Sequence, residues 1–359
     1  MKKFSRLAIL LGLGLLTIVG LLRLAKVEVS LETLERVNWG WIGLTVLVFF
    51  STILVRGSRW HRILQAMGHH TPFLYANTLL IAGLFISAIL PARLGDVGRV
   101  ALLKQDYHIP VSKGLASIAA ERALDVFTIL LLALICSVWA LSGRIPWEFY
   151  QLMLISGSLF LVGLVGLLAI PSLETWLRQP FGWHPPAEPE IATPSRRHTL
   201  WRFYQQALDF GFSLIRSVRE LGRQPLALTI ALIESVGIWF GDGLLIYLCL
   251  VSIGAIPSLS LSVFAVMISD LIAAVPLTPG AIGQFDGTLY GILVLAGVKE
   301  ADAGLGVVLL RLLSLWTLIP VSGLITYLFG FSRALNLTPA SLNSGDPALN
   351  PTVPSPIEG

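Results

Sequence analysis

Long, uncharged apolar blocks recur along the chain, separated by short polar or Pro/Gly-rich segments. An α-helix needs about 20 apolar residues to cross the hydrocarbon core of a bilayer, and several blocks approach or exceed that length. The pattern therefore predicts an all-α integral membrane protein rather than a soluble enzyme. The blocks cover residues 7–22, 39–55, 74–90, 115–141, 149–170, 225–253, 259–276, 281–298 and 305–329.

The composition agrees with this prediction. Apolar residues make up 55% of the chain and charged residues only 13%, whereas soluble domains contain about 25% charged residues. The net charge of +4 is explained by basic residues beside the apolar blocks, which set topology and contact anionic lipid. No nucleic-acid-binding module accompanies it. Cys136 and Cys249 lie in separate apolar blocks, and we expect no disulfide, no metal site and no cofactor.

The positions of the basic residues predict how the chain is oriented in a plasma (inner) membrane. Basic residues in segment 2–6 place the N-terminus in the cytoplasm. No small-residue cleavage site follows the first block, which predicts a retained span rather than a signal peptide. The arginines of segments 56–62 and 178–223 should also be cytoplasmic. Three apolar blocks lie between those two segments, so one of the three must fail to cross.

Residues 74–104 are the block that we expect to turn back, as a re-entrant hairpin entered from the cytoplasm. The second half has a counterpart in residues 259–298. A Pro/Gly-rich break interrupts each hairpin. The residues of the two breaks are Pro91, Gly95 and Gly98, and Pro276, Pro279, Gly280 and Gly283.

The two breaks also occupy matching positions in the two halves. The separation of Gly95 from Arg122 nearly equals that of Gly283 from Arg311. This favours two inverted repeats with about six full crossings, and interrupted helices at matching positions point to a transporter site. The two glycines would then allow close backbone approach. Coincidence between two Gly-rich apolar segments is the alternative.

The domain organisation follows from these assignments. Residues 1–170 form the first membrane half and residues 225–330 the second. Residues 171–224 form a cytoplasmic linker with an amphipathic interfacial helix at 200–221, or alternatively a cytosolic helix packed on the bundle. Residues 331–359 are a Pro/Ser/Asn-rich tail predicted to be disordered and cytoplasmic.

The sequence around both breaks resembles a known family. The runs ILPARLGDVGRVALLK and GLASIAAERALD in the first half, with AAVPLTPGAIGQFDG and LLRLLSLW in the second, resemble the flippase-like transmembrane family. That family includes the membrane region of lysylphosphatidylglycerol synthases, and the resemblance covers roughly residues 5–330. It implies an acidic residue at Asp96 and at Asp286. It also implies lipid translocation, or an accessory role in envelope lipid or glycan synthesis. The aminoacyltransferase region of lysyl-transferring members does not follow here, so aminoacylation is not expected.

Charged residues inside the apolar blocks are the candidate site. A charge at the bilayer centre costs about 2.5–3.5 kcal/mol and requires a partner or a water-filled cavity. Arginines would bind a lipid phosphate through two hydrogen bonds, helix N-termini at the breaks would add N–H donors, and carboxylates would balance the arginines, accept a cationic headgroup or relay protons. Ion pairs that merely join the repeats are the alternative. The candidate substrate-binding residues are Arg93, Asp96, Arg99, Glu121, Arg122, Asp125, Glu234, Asp286 and Arg311.

The sequence thus predicts a lipid flippase or transporter for an anionic or zwitterionic phospholipid. We find no catalytic motif and expect no enzyme activity. The alternative is a membrane glycosyltransferase that uses a polyprenyl-phosphate donor, or an accessory subunit. Its acidic residues would be Glu28, Glu32 and Glu35, although their spacing also fits an ordinary amphipathic helix. Membrane lipids are the expected partners, and a homo-oligomer is compatible with the sequence.

Overall fold

A computed structural model describes residues 37–89, 94–140, 222–274 and 281–329, with single positions 23, 151, 158 and 278. Within the four main ranges the chain is helical. The helices are α1 Trp39–Ala66, α2 Phe73–Ile89, α3 Leu94–Tyr107, α4 Val111–Ala140, α5 Pro225–Ser252, α6 Leu259–Ile272, α7 Gln284–Leu295, α8 Glu300–Arg311 and α9 Leu318–Leu328.

Four helical segments of the described ranges are long and apolar enough to cross a membrane. They are α1, α4, α5 and the continuous segment Glu300–Leu328 formed by α8 and α9. Each contains 28 to 30 residues, so each is about 42–45 Å long, which exceeds the roughly 30 Å hydrocarbon core. The prediction of an all-α membrane protein is confirmed.

Two pairs of shorter helices form hairpins, α2 with α3 and α6 with α7. These helices contain 17, 14, 14 and 12 residues, which makes them about 18–26 Å long and shorter than the hydrocarbon core. Tyr75 Oη at the start of α2 donates to Asp106 Oδ2 at the end of α3 across 2.7 Å. The first hairpin therefore enters and leaves at the same end of the bundle, as a re-entrant segment would.

The packing of the helices repeats between the two halves. Helices α1 and α5 lie side by side in opposite directions. The backbone N–H of Asn38 donates to the carbonyl of Ser252 at one end across 2.8 Å, and Arg62 pairs with Glu234 near the other. Helix α4 packs on α6, and its counterpart α9 packs on α2. Equivalent helices that run in opposite directions are what the predicted inverted repeat requires.

Two glycines at the breaks serve different purposes. A Cβ on Gly95 would lie 1.9 Å from the carbonyl oxygen of Gly83, so α2 and α3 touch through their backbones there. A Cβ on Gly283 would meet no atom of the described residues within 4 Å. Gly283 has φ +84°, so it supplies the left-handed backbone that starts α7.

The last span contains a single π-helical turn at Leu312–Trp316, directly after Arg311. The N–H of Thr317 donates to the carbonyl of Leu312 across 3.1 Å. Pro320 lies four residues after Trp316, where its ring would clash with the Trp316 carbonyl in a regular α-helix. The wider turn accommodates this proline, and such turns are frequent at functional sites.

Several predictions concern residues outside the described ranges. They include the spans at 7–22 and 149–170, the linker and amphipathic helix within 171–221, and the tail at 331–359. The number of full crossings therefore stays a prediction. The same holds for the placement of Pro91, Arg93, Pro276, Pro279 and Gly280.

Candidate functional site

Three arginines and three carboxylates form one connected cluster among α1, α3 and α4, which we call the first-half cluster. Arg59 comes from α1, and Asp96 and Arg99 come from the first turns of α3 after the break. Helix α4 supplies the rest at i, i+1 and i+4, so its two carboxylates share a face. The members of the first-half cluster are Arg59, Asp96, Arg99, Glu121, Arg122 and Asp125.

Arg59 is the most deeply buried member, with a side chain that is 0% exposed. Its guanidinium lies 2.7 Å from Asp125 and 3.3 Å from Glu121. It also donates to Ser235 Oγ on α5 across 2.7 Å. Since α4 and α5 supply these partners, Arg59 on α1 joins the first half of the chain to the second.

Arg99 links the interior of the cluster to the helix start at the break. Its Nη2 donates to Glu121 across 3.0 Å, and its Nη1 donates to Asp96 across 3.2 Å. The guanidinium carbon lies 3.9 Å from the centre of the Trp60 ring. A desolvated cation–π contact of this kind stabilises the charge by about 2 kcal/mol.

Arg122 is the most exposed member of the cluster. It lies 3.1 Å from Asp125 and 3.6 Å from Asp96. Its side chain is 37% exposed and that of Asp96 is 20% exposed, and the apolar side chains of Leu94 and Val97 on α3 are exposed as well. The charged cluster thus reaches the surface next to apolar side chains.

The arginines of the cluster keep unused hydrogen-bond capacity. The Nε–H groups of Arg59, Arg99 and Arg122 are buried and have no hydrogen-bond partner in the part of the chain that the structure describes. Buried donors are nearly always bonded to protein or to ordered water. The cluster is balanced in formal charge, with three cations and three anions, yet it can still donate to further acceptor oxygens.

A second set of ion pairs lies along the interface of α1 and α5. Arg56 bonds to Asp242 and stacks on Trp239, with 5.0 Å between the guanidinium and the ring centre. Arg62 lies 3.2 Å from Glu234, which also accepts from Ser58 across 2.9 Å. These pairs hold together α1 and α5, the two antiparallel helices that precede the hairpin in each repeat.

The second half has its own arginine–carboxylate pair at the break. Asp286 in the first turn of α7 accepts from the N–H of Gly283 across 2.8 Å and from Arg311 Nε. The guanidinium of Arg311 also lies 4.8 Å from the centre of the Phe285 ring. Asp286 thus caps α7 and neutralises the arginine that precedes the π turn.

The family described as lysylphosphatidylglycerol synthase TM region matches residues 6–322. The chain belongs to this family.

Relatives of the chain include membrane proteins of archaea. A UPF0104 membrane protein of Methanocaldococcus jannaschii is 25% identical over 251 residues, which is 68% of this chain and 94% of the relative. One from Pyrococcus horikoshii is 23% identical over 335 residues, 88% of this chain and 94% of the relative. The glycosyltransferase AglD of Haloferax volcanii is 32% identical over 75 residues, 21% of this chain and 12% of AglD.

In this family member, five of the nine predicted site residues lie together in the first-half cluster, and Asp286 and Arg311 bond to each other in the second half. Glu234 bonds to Arg62 and Ser58 instead. Arg93 lies outside the described residues. Ion pairs that join the repeats were the alternative. Among the described candidate residues, Glu234 forms such a pair with Arg62, whereas the other pairs each lie within one half.

Sequence reasoning treated the arginines of segment 56–62 only as markers of the cytoplasmic side and missed their contacts with α4 and α5. Helix α1 does not end at residue 55 but continues to Ala66, so Arg56, Arg59 and Arg62 lie on the packed helix. Their spacing of i, i+3 and i+6 places them on one face. That periodicity was the available signal.

Proposed function

We propose that this protein moves a phospholipid or a lipid-linked envelope precursor between membrane leaflets, with the lipid phosphate bound first at Arg122. The observation that carries the proposal is the partial exposure of Arg122 on a membrane-spanning helix, next to Asp96. An arginine within a span needs an anionic partner or a water-filled cavity, and the exposed part of Arg122 can take an anionic partner in addition to Asp125 and Asp96. A lipid phosphate is the most abundant such partner in a bilayer.

The geometry suggests how a phosphate would bind. The contact of 3.6 Å between Arg122 and Asp96 is long, so it can be exchanged for the shorter, paired hydrogen bonds that a phosphate offers to guanidinium. The unused Nε–H of Arg122 supplies one further donor. Asp96 lies in the first turn of α3, where the positive end of the helix dipole also favours an anion.

The surroundings suit a lipid rather than a water-soluble anion. The exposed side chains of Leu94 and Val97 lie one and two residues from Asp96. They would contact acyl chains while the headgroup reaches the charged cluster. The short hairpin α2–α3 carries this edge of the site, so its movement would carry the headgroup across.

The location and orientation of the protein belong to the same proposal. We place it in the plasma membrane with both termini in the cytoplasm, because basic residues precede the first apolar block and fill segment 178–223. The protein needs no catalytic residue for this activity. Its partners are membrane lipids, anionic or zwitterionic.

The decisive test is translocation of headgroup-labelled phosphatidylglycerol in proteoliposomes. We expect the wild-type protein to exchange label between leaflets and Arg122→Gln to lose at least 90% of the rate. Lys299→Gln is the matched control, because it removes a cation from an exposed position before α8. Wild-type rates equal to those of protein-free vesicles, across several phospholipids and polyprenyl phosphates, would contradict the proposal.

Glycosyl transfer is the second candidate, because a 75-residue segment matches glycosyltransferase AglD. Under this alternative the protein would transfer a sugar from a polyprenyl-phosphate donor. Its candidate residues Glu28, Glu32 and Glu35 lie outside the described ranges. Radiolabelled sugar released from such a donor by the wild type, and not by the triple alanine variant, would favour the enzyme.

A further inference from the structure

We propose that Asp96–Arg122 and Asp286–Arg311 are equivalent half-sites for a phosphate ester, one in each repeat, and that the first is open and the second closed. The inference rests on the proposed function, since it assigns the anion of that function to two places. In each half-site the carboxylate stays paired with the arginine until a phosphate displaces it.

The two pairs occupy the same positions in the two repeats. Asp96 is the third residue of α3 and Asp286 is the third residue of α7, the second helix of each hairpin. Arg122 is the twelfth residue of α4 and Arg311 is the twelfth of α8, the helix that follows each hairpin. A carboxylate at a hairpin and an arginine on the next helix therefore recur in both halves at one register.

The inverted packing gives the two pairs opposite orientations. Because α1 and α5 are antiparallel, the hairpins that follow them enter the bundle from opposite ends. Equivalent anion sites that face opposite ends of one bundle are suited to receiving the same headgroup from opposite leaflets.

The two half-sites differ in how accessible they are. In the first, Arg122 is 37% exposed and Asp96 is 20% exposed. In the second, Arg311 is 13% exposed and Asp286 is 1% exposed. Arg122 is therefore accessible, whereas its equivalent Arg311 is mostly buried. Alternating access requires this asymmetry in any single conformation.

The carboxylates of Asp96 and Asp286 also differ in how firmly their contacts hold them in place. Asp96 lies 3.2 Å from Arg99 and 3.6 Å from Arg122, and it has moderate exposure. Asp286 is fixed both by the Gly283 N–H at 2.8 Å and by Arg311. A phosphate can therefore displace the first carboxylate in this conformation, whereas the second must be released before Arg311 can bind.

The displacement has a simple chemical basis. A carboxylate and a phosphate ester each present two oxygens to the planar fork of a guanidinium, so one can replace the other. At the second half-site the departing Asp286 carboxylate also uncovers the Gly283 N–H at the start of α7, for which an anion is a favourable partner. Neutralising the carboxylate should therefore favour phosphate binding at that half-site.

The test measures binding stoichiometry of the detergent-purified full chain by titration calorimetry with a short-chain phosphatidylglycerol. We expect one lipid per wild-type protein. Asp286→Asn, which keeps an acceptor for the Gly283 N–H, should bind two. The double variant Asp286→Asn/Arg311→Gln should bind one lipid, because its second half-site lacks the arginine. Asp286→Asn/Arg122→Gln should also bind one lipid, because its first half-site lacks the arginine.

Asp96→Asn provides an independent variant if Asp286→Asn folds poorly. Because the first half-site is already open, we expect this change to tighten the dissociation constant about tenfold without adding a second lipid. Melting temperature and size-exclusion profile check folding of each variant. A short-chain diacylglycerol should not bind, and binding of inorganic phosphate with equal affinity would identify free phosphate rather than lipid as the ligand.

The inference is overturned if folded Asp286→Asn still binds one lipid, or if its second lipid survives Arg311→Gln. It is also overturned if Asp96→Asn leaves the affinity unchanged. Binding at two half-sites without leaflet exchange would instead refute the proposed flippase function alone. Leaflet exchange by a protein that binds one lipid in every variant would refute the half-sites alone.

Discussion

Arg59 has the most hydrogen-bond partners of the buried arginines in the described segments. It is fully buried between Asp125 and Glu121 and also bonds to Ser235. A buried charge whose partner is removed costs about 3–5 kcal/mol, whereas an exposed pair contributes about 0–1 kcal/mol. Removal of Arg59 leaves two carboxylates short of a partner, so this residue should matter for folding.

We therefore expect Arg59→Gln to destabilise the protein by about 3–5 kcal/mol, measured as reversible unfolding in mixed detergent. Arg62→Gln is the matched control on the same helix face, because Arg62 is 34% exposed and should cost no more than about 1 kcal/mol. Equal losses in the two variants would show that burial does not decide the role of Arg59.

Arg122 should behave differently, because its proposed role depends on geometry as well as charge. Arg122→Lys keeps the cation but loses the planar fork, so we expect leaflet exchange to fall at least tenfold while the melting temperature changes little. The measurement is the proteoliposome assay with a thermal melt of the same preparation. A lysine variant with wild-type exchange would show that charge alone suffices.

Sequence reasoning found part of this cluster and missed part of it. The pairing of Arg122 with Asp125 followed from i, i+3 spacing on one helix, and the structure places them 3.1 Å apart. The role of Arg59 could not be found this way, because its partners Glu121 and Ser235 lie 62 and 176 residues further along the chain. Local periodicity does not encode such distant contacts.

At the scale of the helices, the hairpins depend on how closely their backbones approach. Helices α2 and α3 meet at Gly83 and Gly95, where a Cβ on Gly95 would lie 1.9 Å from the Gly83 carbonyl oxygen. The Pro/Gly-rich composition predicted a break at this place but not the contact of Gly95 with Gly83. It did not distinguish a glycine needed for space from one needed for φ, as at Gly283, because both needs select the same residue.

Gly95→Ala should therefore destabilise the protein by about 1–3 kcal/mol through overpacking. Gly287→Ala is the control within α7, because its Cβ would meet no atom of the described residues within 4 Å and alanine favours a helix by up to about 1 kcal/mol. Unfolding in mixed detergent measures both. A Gly95→Ala protein with wild-type stability would mean that α2 and α3 can move apart without lowering the free energy of unfolding.

At the scale of the whole molecule, the inverted repeat was predictable and its central contact was not. The matching breaks and arginines fixed the equivalence of the halves. The antiparallel pairing of α1 with α5 could not be derived, since the sequence carries no record of which helices lie beside each other. The structure supplies it through Asn38 at one end and Glu234 near the other.

The packing also predicts which loops share a side of the membrane. We expect cysteines at His70 and Pro110, both exposed beside the first hairpin, to react with an impermeant thiol reagent from the cytoplasm. Cysteines at Ile256 and Lys299 should react from outside. Native Cys136 and Cys249 are buried and should give little background. Labelling of position 110 from outside would refute the re-entrant first hairpin.

The pairing of Arg56 with Asp242 also has a consequence for how the chain is made. The two residues are 186 positions apart, and ribosomes add roughly 5–20 residues per second, so Arg56 waits about 10–40 s for its partner to be synthesised. During that interval the arginine must remain in the insertion machinery, at the membrane surface or against a lipid phosphate. A nascent chain that stops before residue 242 would leave this cation without its ion-pair partner Asp242.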